Sequence, residues 1–106
     1  MKRGEVWWVS FDPSLGGEIS KTRPAVIVSN DASNNALNRV QVIPFTSNTS
    51  KVYPCEALVT VKGKESKACA DQIATVSKKR LKEFIAILDN DDLEAVERAI
   101  HIQLGL

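Results

Sequence analysis

The sequence predicts a mainly β fold: a small, strongly bent sheet or half-open barrel of five to seven short strands, closed by one C-terminal amphipathic helix. Three observations predict it. Apolar runs of strand length recur between Glu5 and Leu88 with polar loops between them. After Leu88 the apolar residues fall instead on one helical face. With 106 residues and 43% hydrophobic content, the chain can bury one small core. No repeat or linker divides residues 1–106, so one domain is expected.

The elements follow in order. "EVWWVSF", Glu5 to Phe11, alternates Trp7, Val9 and Phe11 against Val6, Trp8 and Ser10, and both series are apolar enough for a strand covered on two sides. "PAVIVS", Pro24 to Ser29, is a continuous apolar strand that starts on its proline, where a missing N–H costs little. "RVQVIPF", Arg39 to Phe45, is a third strand, and Pro44 within it implies a strand end, an edge or a bulge. "CEALVTV", Cys55 to Val61, alternates cleanly, and "KGKES" reads as a turn after it. "ACADQIATVS" supplies one or two more strands, Ser77 caps a short turn "KKRL", and "FIAIL", Phe84 to Leu88, is the last strand. Asp89 then serves as helix N-cap, Asp91, Asp92 and Glu94 load the first turn with negative charge, and Leu93, Val96, Ile100 and Leu104 share a face.

Composition narrows the function. No run approaches the roughly 18 consecutive apolar residues of a membrane helix. Met1-Lys2-Arg3-Gly4-Glu5 leads into too short an apolar stretch for a secretion signal, so a soluble cytoplasmic protein without a membrane partner is expected. Cys55 and Cys69 have neither metal-knuckle spacing nor a neighbouring histidine, and read as reduced core residues. The net charge of +1 conceals a division. Residues 1–82 hold 13 Lys/Arg against 7 Asp/Glu, whereas residues 83–106 hold 1 against 6. A basic body suits a phosphate-bearing partner, although a solvated surface has the same composition.

Three loops follow strands and are placed to cluster: residues 12–22 with Gly16-Gly17, a possible lid; the amide-rich residues 30–38; and residues 46–54, with hydroxyls, Lys51 and Tyr53. There is no glycine-rich phosphate cradle, metal-ligand cluster or Ser-His-Asp set, and the single histidine, His101, falls in the terminal helix as a packing or surface residue. What remains is a cation with hydroxyls. If the second and third strands pair antiparallel, Arg23 at the start of one meets Thr46 and Ser47 at the end of the other. A guanidinium fork and a threonine hydroxyl can hold a phosphodiester as charge builds on it, and RNA brings its own 2′-hydroxyl nucleophile, so no metal or other cofactor is required. The plainer alternative is a surface ion pair of Arg23 with Glu18 or Asp31.

These residues also carry a resemblance. "KRGEVWWVSFDPSLGGEISKTRPAVIVSND", "VQVIPFTSNT", "ADQIATVSKKRL" and "LDNDDLEAVERAIHIQLGL" make the chain similar, over essentially its whole length, to the MazF/PemK family of toxin endoribonucleases. The resemblance implies an SH3-like barrel with a C-terminal helix, a homodimer, and sequence-selective cleavage of single-stranded RNA, chiefly mRNA. It also implies a cognate MazE-like antitoxin with an acidic, disordered tail. By position, the family's catalytic arginine falls on Arg23, its catalytic threonine on Thr46, its first-loop glutamate on Glu18 and its Asp-Gln pair on Asp71 and Gln72. Lys21, Ser47, Asn48, Lys51 and Gln72 are the expected RNA contacts. Glu18 is open between general base and orienting partner of Arg23, because an arginine is a poor base. One tryptophan of the Trp7-Trp8 pair is expected in the core and the other against a base or a second subunit. "KKRLK", Lys78 to Lys82, reads as a phosphate contact or a solvated turn. Two other functions remain open on this fold: a CcdB-like poison of DNA gyrase and a noncatalytic RNA-binding barrel.

Overall fold

β1 (Glu5–Ser10) and β2 (Thr22–Ile27) are the first two strands of a sheet in which every neighbour is antiparallel. α1 (Asp31–Ala36) follows, then β3 (Arg39–Thr46), β4 (Glu56–Val61), β5 (Lys64–Cys69), β6 (Ala74–Ser77), β7 (Leu81–Ile87) and α2 (Asn90–Leu104). This computed structural model describes every residue except Ser14, Ile19 and Ser20, which fall in the first of the three loops expected to line a site. The seven strands run β4-β5-β3-β2-β1-β7, with β6 on β3 beside that path. The sheet curls into the expected half-open barrel, and α2 packs on it.

Alternation builds two cores, one on each face. Val6, Val26, Ile43 and Phe45 point to one side, where Ala57, Val59, Leu88 and the helix residues Val96 and Ala99 complete a buried cluster. Val9, Ala25, Ile27, Val40 and Val42 point to the other and meet Val76 and Leu81. Two-sided burial is why β2 reads as an unbroken apolar run, each such side chain contributing about 1.5–3 kcal/mol when fully buried. Trp7 joins the second cluster, edge-on to Phe84 at 5.8 Å between ring centroids, while Trp8 stays 39% exposed.

Several expectations need correction. "KGKES" is not a turn throughout: only Lys62 and Gly63 turn, and β5 begins at Lys64 opposite Val61. Residues 30–38 are not simply loop, because Asn30 accepts a hydrogen bond from the Ser33 N–H and starts α1. Buried Asn34 anchors that helix, giving its Nδ2 to the Ser29 carbonyl at 2.9 Å and accepting from the Ser29 hydroxyl. Leu104 is 54% exposed, and Ala99 takes the buried place on α2 instead. β7 begins at Leu81 rather than Phe84, so Ser77 caps only a single 3₁₀ turn, Lys78–Arg80. Pro44 lies inside a central strand, where the other edge of β3 changes partner from β6 (residues 39–42) to β5 (residues 45–46). Its missing N–H falls at that changeover.

The ends are fixed by specific bonds. The Arg3 N–H donates to Asp31 Oδ1 at 2.8 Å, which holds the Asp31 carboxyl below its ordinary value. The Asp89 side chain accepts from the Asp91 N–H at 3.1 Å, and Gly105 closes α2 at φ +69° with its N–H on the Ile102 carbonyl.

Candidate functional site

β2 and β3 pair through Ala25–Pro44, Val26–Ile43 and Ile27–Val42. Continued outward, that ladder carries Arg23 toward Thr46, and the two residues line one open cavity of about 300 Å³. β2 begins two residues before Pro24 rather than on it; Pro24 pairs with Trp8, and the buried run after it makes a rigid base for the half-buried Arg23. Lys21 and Ser47 line the same cavity, at the end of the first loop and the start of the third. Lys21 holds φ +66°, a conformation costly for a side chain of its kind, with its N–H on Asp12 Oδ1 at 2.8 Å and its carbonyl accepting from the Phe11 N–H.

The composition of this cavity decides its chemistry. Three cations (Lys21, Arg23, Lys64) and four hydroxyls (Thr22, Thr46, Ser47, Ser66) face it, and among the described residues no carboxylate lines it. Such a lining binds an anion, and a planar guanidinium beside hydroxyl donors fits the oxygens of a phosphodiester. Thr46 Oγ1 accepts from the Asn48 N–H at 3.4 Å, which leaves its own proton to donate. Exposed Trp8 supplies an aromatic wall.

Glu18 and Gln72 are not in this lining. They meet in a neighbouring cavity of about 410 Å³, with Phe11, Asp71, Val76 and Arg80. The Glu18 carboxylate accepts from the Leu15 N–H at 2.8 Å, and Gln72 Nε2 donates to the Gly17 carbonyl at 3.2 Å. Arg80 donates to the carbonyls of Ser10 and Asp12. One loop thus borders both cavities, with Glu18 on one and Lys21 on the other. Asn48 and Lys51 lie on the loop leaving β3, outside the lining of either cavity; there Asn48 Oδ1 accepts from the Ser50 hydroxyl at 2.8 Å and Lys51 Nζ sits 5.4 Å from the centre of the Tyr53 ring.

The family of PemK-like, MazF-like toxins of type II toxin-antitoxin systems matches residues 2–104. The chain belongs to that family. Endoribonuclease MazF9 of Mycobacterium tuberculosis is 38% identical over 115 residues, covering 100% of this chain and 98% of that protein. MazF from Deinococcus radiodurans superposes with a TM-score of 0.88 at 28% identity, over 100% of this chain and 97% of that one. A MazE–MazF structure from the same organism gives 0.78 at 26% identity, over 100% and 97%. The toxin fold therefore extends over both cavities and α2.

Sequence reasoning missed three residues of this toxin's cationic cavity. These are Thr22, at the first position of β2, and Lys64 and Ser66 on β5, in a stretch whose composition suggests a turn; Trp8 takes the place of the tryptophan expected outside the core. Lys62-Gly63 forms a two-residue hairpin loop, but the polar residues after it show no alternation that would mark β5. Among the described residues, one group of metal-ligand types comes together, Glu56, Cys69 and Asp71, with ligand atoms within 4.8 Å of one another. Glu56 is already ion-paired to Lys67 at 3.2 Å, and burial, with help from Glu56 and Asp71, pushes the Cys69 thiol up to about 11. The Lys67 ammonium already serves this group as its cation.

Proposed function

We propose that this toxin cuts single-stranded RNA, chiefly mRNA, at the Arg23–Thr46 cavity and so halts translation. The observation that carries the reading is a cavity with three cations, four hydroxyls and no carboxylate in its described lining. In the reaction, the RNA 2′-oxygen gives up its proton and bonds to phosphorus, the bond from phosphorus to the 5′-oxygen breaks, and the leaving 5′-oxygen takes a proton from Arg23. The products are a 2′,3′-cyclic phosphate, or the 3′-phosphate after hydrolysis, and a 5′-hydroxyl. Arg23 neutralises the charge that grows on the non-bridging oxygens of the pentavalent transition state, and Thr46 donates its hydroxyl to one of them. A guanidinium does not accept the 2′-hydroxyl proton. Glu18 is the carboxylate assigned to that task or to orienting Arg23; it borders the next cavity, on the loop that ends at Lys21. No metal or cofactor takes part in this scheme.

Lys21, Ser47, Asn48, Lys51 and Gln72 are assigned to binding RNA, and the bases are selected by residues 12–22, 30–38 and 46–54. The partners are a second copy of the toxin and a MazE-like antitoxin with an acidic tail, in keeping with the D. radiodurans complex. The proposed setting is the cytoplasm. Among the described residues, no helix is long and apolar enough to cross a membrane.

Cleavage of a long single-stranded RNA in excess EDTA tests this reading. The wild-type toxin should leave discrete 5′-hydroxyl ends, and Arg23→Ala should lose at least about 10²-fold in rate. RNA left intact by a folded, antitoxin-free preparation overturns the reading; inhibition of gyrase supercoiling would then identify a gyrase poison, and tight salt-sensitive binding a noncatalytic barrel.

A further inference from the structure

The loop that leaves the candidate site is tied to one ion pair. Lys67 faces Thr46 directly across the β3–β5 ladder. Its Nζ donates to the Lys51 carbonyl at 2.8 Å and to Glu56 Oε1 at 3.2 Å. The same Glu56 oxygen accepts from the Tyr53 N–H at 2.8 Å. The side chains of Lys67 and Glu56 are only 12% and 10% exposed. A nearly buried pair of charges thus grips the backbone at Lys51 and Tyr53, the two residues whose side chains form the cation–π contact. Nearby Asp71 and Cys69 face the glutamate end of this pair.

We infer that Lys67 and Glu56 are positioning residues that hold Lys51 where it meets the RNA backbone beside Thr46. The inference rests on the nuclease reading above. A buried pair is poor evidence of stability, since an apolar pair of similar volume often serves as well. What this pair supplies is direction: one lysine carries the cross-strand neighbour of Thr46 and the anchor of the next cation along the loop. Without it, residues 47–55 keep their connection to β3 but lose two backbone tethers.

The test compares Lys67→Met, Lys51→Ala and the double variant with wild-type toxin. KM and kcat are measured on one cleaved RNA, and salt dependence of binding on the same RNA with a 2′-deoxy residue at the cut. Lys67→Met is expected to raise KM about tenfold, the loss of one charge-assisted contact, with kcat within about threefold. The log–log salt slope should fall by about 0.7, one phosphate contact to a single strand. Lys51→Ala should do the same, and the double variant should add nothing further. Lys67→Arg, which keeps the charge and the donors, should recover most of the affinity. A purely structural pair would lower the melting temperature and leave the salt slope unchanged. A wild-type slope and KM in Lys67→Met, or full additivity in the double variant, overturns the inference. Should Lys67→Met not fold, Lys67→Met with Glu56→Gln, which leaves no unpaired charge, gives the same comparison. Failure of the wild-type toxin to cut RNA sinks the nuclease reading itself, whereas cutting by wild type and variants alike sinks only the role of this pair.

Discussion

At the scale of single residues, the cavity depends on hydroxyls that donate and cations that stay charged. Thr46 is the clearest case, because its oxygen accepts from the Asn48 N–H while its hydroxyl still has a proton to donate. A donor aimed at charge that develops only in the transition state acts on kcat and little on KM. Thr46→Val keeps the shape and removes the donor. It should lower kcat by about 10²–10³-fold with KM within a few-fold, while Thr46→Ser retains most of the rate. Steady-state cleavage of one mapped RNA decides this, and a rise in KM at constant kcat would make Thr46 a ground-state contact. Cys69 is a contrasting residue: with its pKa near 11 it stays a neutral thiol at physiological pH, suited to packing and not to nucleophilic attack.

At the scale of elements, the β4–β5 hairpin brings Lys64 and Ser66 to the cavity. Val61 and Lys64 pair across it, and both loop residues have positive φ, +51° at Lys62 and +77° at Gly63. Gly63 adopts this freely, but Lys62 bears a cost of about 1 kcal/mol that asparagine largely avoids. Lys62→Asn should therefore stabilise the toxin by about 0.5–1 kcal/mol, raising its melting temperature by about 2–8 °C, and Lys62→Ala should not. Thermal melts of the two variants, with cleavage rate as a control outside the site, check it. The same hairpin shows where the sequence becomes hard to read. The meeting of Arg23 and Thr46 is legible, because two apolar strands of opposite direction place the start of one beside the end of the other. β5 is not, because its first residues, Lys64 to Lys67, are polar and show no apolar face until Ala68. The short helix α1 is hidden for a similar reason: its stability comes from buried Asn34 and its tie to Ser29, not from an apolar stripe. The separation of Glu18 from the Arg23 cavity depends on the path of a long loop, which no local pattern specifies.

At the scale of the molecule, charge is divided as the sequence divides it: the strands and loops before α2 carry most of the cations and α2 most of the acidic tail. The cationic cavity lies at one end of the β2–β3 ladder, and α2 packs on the face holding Val26, Ile43 and Val96, so RNA can approach Lys21, Arg23 and Lys64 without passing the helix. Single-stranded RNA held by phosphate contacts loses affinity with salt by about 0.7 in log–log slope for each phosphate neutralised. The three cavity cations account for a slope of about −2, and Lys51 steepens it further. Lys64→Ala should make the slope shallower by about 0.7 and weaken binding to all RNAs alike, leaving the cleavage sequence unchanged, because a phosphate contact carries no base information. Filter binding of a 2′-deoxy-blocked RNA between 50 and 200 mM salt, read beside a map of the cut sites, separates the possible results. A changed cut sequence would place Lys64 at a base edge, and an unchanged slope would put the RNA elsewhere on the basic sheet. The expected result would fix the strand's course past β5 and explain why Arg23, Thr46 and Lys64, which hold its backbone, lie on β2, β3 and β5, while Lys21 and Lys51 join them from the loops that also distinguish its bases.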